Sequence, residues 1–140
     1  MKSVLIVGGS SGIGKSLVNL LLDTTQVFSI SRTSSGISHS NFTEFYCDVL
    51  HDELPKFDKL DTLVYCPGSI NLKPIARLKQ EDFSNDFSIN VLGAVRVIQE
   101  YLPVLKQSNN PNVLMFSSIA VKMGMPFHAS IAASKGAVEG

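Results

Sequence analysis

The sequence predicts an α/β domain in which a doubly wound parallel sheet of five strands, ordered 3-2-1-4-5, carries helices on both faces. Short apolar runs alternate along the chain with longer segments of helical spacing, a pattern typical of parallel sheets. A glycine-rich segment directly follows the first apolar run, where such folds turn from strand to helix. Because crossovers are right-handed, the strand order reverses between strands one and four, and we expect chemistry at the carboxyl ends of the strands near that point.

The strands are predicted at five apolar runs bounded by turn residues. They are Ser3–Val7, Gln26–Ile30, Phe42–Cys47, Thr62–Cys66 and Asn112–Phe116. A first helix is predicted over Gly12–Leu22, with Ile13, Leu17 and Leu20 facing the sheet. Loops are predicted at "SRTSSGISHSN" and "PGSINLKP", and only a short turn of helix fits into "HDELPKFD".

The longest helical pattern lies between Glu81 and Gln107. Gly93 and Pro103 are expected to bend or split this helix. Apolar residues recur in it every three or four positions, at Phe83, Phe87, Val91, Val95, Ile98, Leu102 and Leu105.

Length and composition restrict the function further. With 140 residues the chain has the size of one domain, and its 12 basic residues balance 12 acidic ones. No basic run is present, so nucleic acid is not an expected partner, and a small molecule is. No apolar stretch reaches about 18 residues, so we expect no membrane association and a cytoplasmic location. Cys47 and Cys66 are not paired with spaced histidines, so neither a metal site nor a disulfide is expected.

The segment "GGSSGIG" joins the first predicted strand to the first predicted helix. Glycines there let the backbone approach a pyrophosphate, and the free N–H groups and the dipole of the helix attract it. This context favours dinucleotide binding over a merely structural turn. The predicted contacts are Gly8, Ser10, Ser11, Gly12, Ile13 and Gly14.

This loop resembles that of the short-chain dehydrogenase/reductase family, whose pattern is Thr-Gly-x-x-x-Gly-Ile-Gly, with Val7 here in place of the threonine. The resemblance extends along the whole chain. It implies a Rossmann-like fold, a nicotinamide cofactor and oxidoreduction between a carbonyl and an alcohol. Family members continue for two further strands. The resemblance therefore implies that residues 1–140 are a single NAD(P)-binding domain, an N-terminal fragment lacking the C-terminal strands, and that the full-length protein is a homo-oligomer.

The end of the second strand bears on the choice of cofactor. Ser31 stands where an NAD-preferring enzyme would place an acidic residue against the ribose, and Arg32 and Thr33 follow it. An arginine among hydroxyl groups suits a 2′-phosphate, so NADP(H) is the expected cofactor and NAD(H) remains possible. The alternative is a solvated surface arginine.

Two further strand ends match the family in part. Asp48 and Val49 resemble its Asp-Val pair, in which the aspartate accepts a hydrogen bond from the adenine amino group, although Asp48 could equally cap the next turn. Cys66, Pro67 and Gly68 stand where relatives have Asn-Ala-Gly, along the adenosine side of the cofactor. Tyr65, just before them, could be a core residue.

The resemblance also implies the catalytic residues. Asn90 lies in "INVLG" and would support a proton-relay water, unless it is a satisfied packing residue. Ser118 would bind the substrate carbonyl, and Lys135 would hold the nicotinamide ribose and lower the pKa of a tyrosine four residues before it. That position is Ile131.

Two functions from different classes therefore stay open. One is an NADP(H)-dependent oxidoreductase with an incomplete catalytic set, and the other is a non-catalytic NADP(H)-binding protein serving as sensor, scaffold or oligomer partner. Loss of a general acid removes about 10² to 10⁴ in rate. His128 and Ser130 are the nearest substitute proton donors, although Ser130 points about 100° away around the helix.

Overall fold

The computed structural model describes all 140 residues and contains one sheet in the order β3-β2-β1-β4-β5, parallel throughout. The predicted strand order is confirmed, and each strand limit agrees with the prediction to within one residue. The strands are β1 Lys2–Val7, β2 Thr25–Ser31, β3 Phe42–Tyr46, β4 Thr62–Tyr65 and β5 Asn112–Met115.

Four α-helices accompany the sheet, with short 3₁₀ turns at Ile75–Arg77 and Ile119–Val121. The helices are α1 Gly12–Leu21, α2 Gln80–Phe87, α3 Gly93–Leu105 and α4 Ala129–Glu139. None of them is long and apolar enough to cross a membrane.

The long predicted helix is interrupted once, by a π-helical turn over Ser88–Leu92 that joins α2 to α3. Gly93 stands at the end of this interruption, as expected. Pro103 lies inside the last turn of α3 and does not split it.

Both faces of the sheet carry a core, because alternate strand residues point to opposite sides. On one face Leu5, Ile30 and Leu63 pack with Val97 and Tyr101 of α3. The other face packs against α1, in a smaller cluster of buried residues consisting of Val4, Ile6, Val18, Leu22, Val27 and Val64.

The crossovers from β2 to β3 and from β3 to β4 contain no helix, and the short turn of helix expected in "HDELPKFD" is absent. In the second crossover, Leu54 and Leu60 are buried in the larger core instead. The guanidinium group of Arg96 on α3 donates hydrogen bonds to the carbonyl oxygens of Val49 and Asp52. These contacts hold the crossover against the sheet without a helix.

The predicted inner face of α1 is only partly correct: Leu17 packs against the smaller core, but Ile13 and Leu20 do not. Ile13 and Leu20 are 63% and 78% exposed, whereas Gly14 and Val18 are buried. A Cβ atom at Gly14 would overlap the carbonyl oxygen of Gly8. The close approach of these two backbones therefore rotates the helix and turns the Gly14 side, not the Ile13 side, to the sheet.

The apolar pattern of α3 is also only partly buried. Val95 and Leu102 are 44% and 40% exposed, while Ala94, Val97 and Tyr101 form the inner face. The helix therefore carries apolar side chains on two neighbouring faces, and only one of them meets the sheet.

Candidate dinucleotide and active site

A cleft of about 670 Å³ opens at the carboxyl ends of β1, β2, β3 and β4, where the strand order predicts a ligand site. Most of the predicted cofactor contacts line it: Gly8, Ser11, Gly12, Ile13, Gly14, Ser31, Arg32, Asp48, Val49, Cys66, Pro67 and Gly68. Ser10, Thr33, Asn90, Ser118 and Lys135 do not line this cleft. His51 and Ser69 line it, and sequence reasoning missed them because neither belongs to a recognisable pattern.

The glycine-rich loop fits a pyrophosphate. Gly8 and Gly12 have φ angles of +83° and +52°, in the left-handed region that favours glycine. No atom lies within 4 Å of a Cβ position built at Gly12, so the loop is open on its outer side. The helix α1 begins at Gly12, and its first backbone N–H groups lack acceptors within the helix. The loop thus offers donors and space to an anion.

Ser31 and Thr33 flank Arg32 in the sequence at the end of β2, and both are hydrogen-bonded to Ser10. The Ser10 amide donates to Ser31 Oγ at 3.1 Å, and the Thr33 hydroxyl donates to Ser10 Oγ at 3.3 Å. Arg32 is exposed and forms no ion pair within the protein. Its guanidinium group is therefore available to an external anion.

The loop after Arg32 is fixed from two sides. From α1, Lys15 Nζ donates to the Ser35 carbonyl oxygen at 2.6 Å. From β3, the Glu44 carboxylate accepts from the Ser35 amide at 2.9 Å and from the Ser34 hydroxyl at 3.3 Å. The helix that begins at the glycine loop is thereby linked directly to the Arg32 loop.

Asp48 caps the turn that follows β3. Its Oδ1 accepts from the Leu50 amide at 2.9 Å, and its Oδ2 lies 3.1 Å from His51 Nδ1. The hydrogen bond with His51, followed by that from Leu50, lowers the pKa of the Asp48 carboxyl group. A contact of Asp48 with adenine stays a prediction, and it would have to share an oxygen already engaged.

The two residues before Pro67 are buried to different degrees. Tyr65 is a core residue, and its hydroxyl donates to the Ile89 carbonyl oxygen at 2.6 Å. Burial raises the pKa of the Tyr65 hydroxyl. Cys66 is partly buried, and burial raises the pKa of its thiol to about 11, so the group is a neutral wall of the cleft.

Gly68, Asn90 and Lys135 converge from three different elements. A Cβ atom at Gly68 would lie 3.1 Å from Asn90 Oδ1 and 4.0 Å from Lys135 Nζ. Asn90 is 1% exposed, its Nδ2 donates to the Asp86 carbonyl oxygen at 2.8 Å, and its Oδ1 has no partner. An unpaired buried carbonyl needs a donor, so Asn90 is not a fully satisfied packing residue.

Lys135 keeps its amine inside this region. Nζ donates to the Phe116 carbonyl oxygen at 2.8 Å, at the end of β5. Burial lowers the pKa of the amine. Ser118 Oγ accepts from the Ala120 amide at 3.2 Å. Ile131, one helical turn before Lys135, is 4% exposed, so an apolar side chain fills the position where the resemblance places a tyrosine.

The two substitute donors are engaged to different extents, since Ser130 uses its only hydroxyl and His128 uses one of its two ring nitrogens. The Ser130 hydroxyl is fully buried and donates to Asp86 Oδ2 at 2.6 Å. His128 Nδ1 lies 2.6 Å from the Pro126 carbonyl oxygen. No group of three or more His, Cys, Asp or Glu side chains is arranged to hold a metal ion.

The cleft and the polar group around Gly68 together fit a nicotinamide dinucleotide. The loop has the required φ angles and open space, and Asn90 Oδ1 and Lys135 Nζ lie close to Gly68, which lines the cleft. The missing feature is an acid beside Lys135.

Comparison with known proteins agrees with this geometry. The short chain dehydrogenase family matches residues 2–140. Human 17-beta-hydroxysteroid dehydrogenase type 1 is 31% identical over 160 aligned positions, which cover 98% of this chain and 49% of the relative. Cyclopentanol dehydrogenase from Comamonas testosteroni is 26% identical, over 98% of this chain and 62% of the relative. This chain thus spans about half the length of the human relative.

Solved structures give the same result. A short chain dehydrogenase/reductase from Saccharomyces cerevisiae superposes with a TM-score of 0.86 at 25% identity, over 99% of this chain and 62% of the other. A tyrosine-to-phenylalanine variant of ElxO with NADPH bound superposes with a TM-score of 0.86 at 26% identity, over 98% of this chain and 63% of the other. The chain therefore belongs to the short chain dehydrogenase family.

Proposed function

We propose that the protein binds NADP(H) and acts as an oxidoreductase on a carbonyl or alcohol substrate. The convergence of Asn90 and Lys135 on Gly68, at the end of the cleft that the glycine loop opens, carries this proposal. The bound nicotinamide would supply or accept a hydride. The chain itself would hold the cofactor through the glycine loop and through Lys135, and would place the substrate carbonyl against Ser118.

The preference for NADP(H) over NAD(H) rests on Arg32. An exposed guanidinium group without an internal partner can form two charge-assisted hydrogen bonds with a 2′-phosphate. Ser31 and Thr33 flank Arg32 in the sequence and are hydrogen-bonded to Ser10, and no carboxylate occupies position 31. ElxO has been solved with NADP and with NADPH bound, which supports the same cofactor class here.

Proton supply limits the reaction. With Ile131 in place of an acid, with Ser130 bonded to Asp86 and with His128 Nδ1 turned to the Pro126 carbonyl oxygen, we expect protonation of the substrate oxygen to depend on water held near Asn90 and Lys135. We expect turnover lower by a factor of about 10² to 10⁴ than with a positioned acid. The same observation favours the second candidate, an NADP(H)-binding protein without turnover that serves as sensor, scaffold or oligomer partner.

An apolar groove beside the site favours an apolar substrate. It lies between the segment after β4 and the segment after β5, which are joined by a hydrogen bond of 3.2 Å from the Lys73 amide to the Phe127 carbonyl oxygen. Exposed Ile75, Met123 and Phe127 line it. Proteins similar to this chain are named for a hydroxysteroid and for retinol, both largely apolar alcohols.

We further propose that the protein is a homo-oligomer. Phe87, Leu92, Val95 and Leu102 leave an apolar stripe exposed along α2, the π-helical turn and α3. Such a stripe marks a surface that a second copy would cover. The cytoplasmic location stays a prediction.

The cofactor assignment can be tested by titrating the protein with NADPH and NADH while following nicotinamide fluorescence. Arg32→Ala should weaken NADPH binding about tenfold or more and leave NADH binding unchanged, because the lost hydrogen bonds involve only the 2′-phosphate. Arg77→Ala, at an exposed arginine outside the cleft, is the matched control. An unchanged preference in Arg32→Ala would refute the role of Arg32.

A second measurement separates the enzyme from the binding protein. Purified protein is incubated with NADPH and a panel of apolar ketones and aldehydes, and NADPH loss is followed. Slow, protein-dependent loss supports the oxidoreductase. Tight binding without any loss supports the non-catalytic function, and absence of binding at high micromolar cofactor overturns both.

A further inference from the structure

A buried carboxylate lies next to the nicotinamide end of the site and has no role in the function proposed above. Asp86 on α2 is fully buried. Its Oδ1 accepts from the Ser69 hydroxyl at 2.6 Å and from Asn71 Nδ2 at 3.0 Å, and its Oδ2 accepts from the Ser130 hydroxyl at 2.6 Å. No lysine, arginine or histidine pairs with it.

The segments that Asp86 connects are those that carry the converging site residues. Ser69 directly follows Gly68, and Ser130 lies on α4 together with Lys135. Asn90 follows Asp86 by one helical turn, and its Nδ2 donates both to the Asp86 carbonyl oxygen at 2.8 Å and to the Ser69 carbonyl oxygen at 3.3 Å. Asp86 thus links all three segments: its carboxylate contacts the loop after β4 and α4, and its backbone carbonyl contacts Asn90.

We propose that Asp86 is a positioning residue that holds Gly68, Asn90 and Lys135 at the separation the nicotinamide ribose requires. This inference rests on the NADP(H) binding proposed above. Asp86 does not touch the cofactor. It acts through Ser69 on the loop after β4 and through Ser130 on α4.

The chemistry of the contact explains why a carboxylate stands there. Apolar packing attracts helix to loop without fixing their orientation, whereas hydrogen bonds to two carboxylate oxygens define directions for three partners. Loss of the carboxylate alone would leave the donors of Ser69, Asn71 and Ser130 without an acceptor, which is destabilising. We therefore expect Asp86 to fix the geometry of the nicotinamide end of the site in addition to stabilising the fold.

This expectation leads to an experiment with two ligands. NADPH reaches both ends of the cleft, whereas adenosine 2′,5′-bisphosphate occupies only the adenosine end. In Asp86→Leu, binding of NADPH should weaken by about tenfold, because Lys135 would no longer be held at the ribose, and binding of adenosine 2′,5′-bisphosphate should not change. Both affinities are measured below the unfolding temperature of the variant, which should fall because three donors lose their acceptor.

Asp61→Leu is the matched control, because Asp61 also accepts hydrogen bonds from serines but lies at the opposite end of β4. It should change stability and leave the ratio of the two affinities as in the unsubstituted protein. Equal weakening of both ligands in Asp86→Leu, or no change in NADPH binding, would overturn the positioning role.

If Asp86→Leu does not fold, Ser130→Ala tests the positioning role instead. It removes one donor and keeps the carboxylate, and it should weaken NADPH alone by a few fold; equal effects on both ligands, or none, would overturn the inference. If the unsubstituted protein binds adenosine 2′,5′-bisphosphate and NADPH with equal affinity, Lys135 adds nothing to NADPH binding. That result would overturn the positioning role of Asp86. If the unsubstituted protein binds neither, the proposed function fails instead.

Discussion

The resemblance implies a tyrosine that donates the proton and a lysine that holds the ribose, and this chain has Ile131 in place of the tyrosine. Lys135 remains half-buried, donates to the Phe116 carbonyl oxygen and has a lowered pKa because of burial. In the function proposed above, the Lys135 amine would bind a ribose hydroxyl whichever residue stands one turn earlier. A tyrosine at position 131 would add the proton donor, so we expect the isoleucine there to affect turnover more than cofactor binding.

Ile131→Tyr should therefore raise the rate of NADPH-dependent reduction by about 10² or more, because it restores a positioned acid beside Lys135. Ile119→Tyr, at a position that is 64% exposed, controls for the added phenol. The measurement is initial rate with the most active ketone of the panel, together with thermal unfolding, since overpacking at a buried position costs about 1 to 3 kcal/mol. A folded variant with no gain in rate would contradict the remnant-site interpretation.

Gly68 offers a second test at the residue scale. Gly68→Ala would place a methyl group 3.1 Å from Asn90 Oδ1 and 4.0 Å from the Lys135 amine, which we propose holds the nicotinamide ribose. We expect NADPH binding to weaken by about tenfold, the loss of one good polar contact. Gly124→Ala is the control, because no atom lies within 4 Å of its Cβ position. Equal affinity of the two variants would show that the space is not used.

The π-helical turn depends on one side chain from the sheet. The extra residue in this turn breaks the regular hydrogen bonding of the helix, and the Tyr65 hydroxyl donates to the Ile89 carbonyl oxygen within it. Gly93 makes this possible, because a Cβ atom there would overlap the Tyr65 hydroxyl. The turn includes Asn90, so the Tyr65 hydrogen bond helps to fix the position of Asn90.

Tyr65→Phe should lower the free energy of unfolding by about 1 kcal/mol, because it leaves the Ile89 carbonyl oxygen without its donor in a partly buried position. Tyr46→Phe removes an exposed hydroxyl that contacts Glu44 and should have little effect. Urea unfolding of the two variants makes the comparison. Equal stability would mean that water replaces the lost donor.

Strands and loops were predictable from the sequence, because apolar runs and turn residues report directly on them. The faces of α1 and α3 were not. Each helix carries apolar residues on two neighbouring faces, and the close approach of Gly14 to Gly8 selects the buried face of α1, which periodicity does not encode. In the same way, the strand ends predicted the cleft, but nothing in the spacing indicated that Asp86 connects to Ser130.

At the scale of the whole molecule, the Asp61 carboxylate connects distant parts of the chain at the amino ends of the strands. This carboxylate accepts from the Ser3 amide at 2.8 Å and from the Ser108 hydroxyl at 2.6 Å, joining β1 to the segment after α3. The hydrogen bond from Ser108, followed by that from the Ser3 amide, lowers the pKa of the Asp61 carboxyl group. A carboxyl group with a lowered pKa stabilises the fold while it is ionised.

The stability that Asp61 provides should be complete above about pH 4, the ordinary pKa of an aspartate, and should be lost as the pH falls through its lower pKa in the folded protein. Asp61→Asn should therefore lose less stability than the unsubstituted protein between pH 6 and pH 3. Asp58→Asn, at an exposed neighbour, is the control. Parallel pH profiles for all three proteins would show that these hydrogen bonds do not contribute.

The double attachment of the loop after Arg32 affects how the molecule would respond to an anion. Lys15 and Glu44 already hold Ser35 from α1 and from β3. A loop that is ordered before its ligand arrives loses little conformational entropy on binding, so more of each new hydrogen bond appears as affinity. Since Lys15 belongs to the helix that begins at the glycine loop, the two loops that we propose bind the phosphate groups are connected by a direct hydrogen bond.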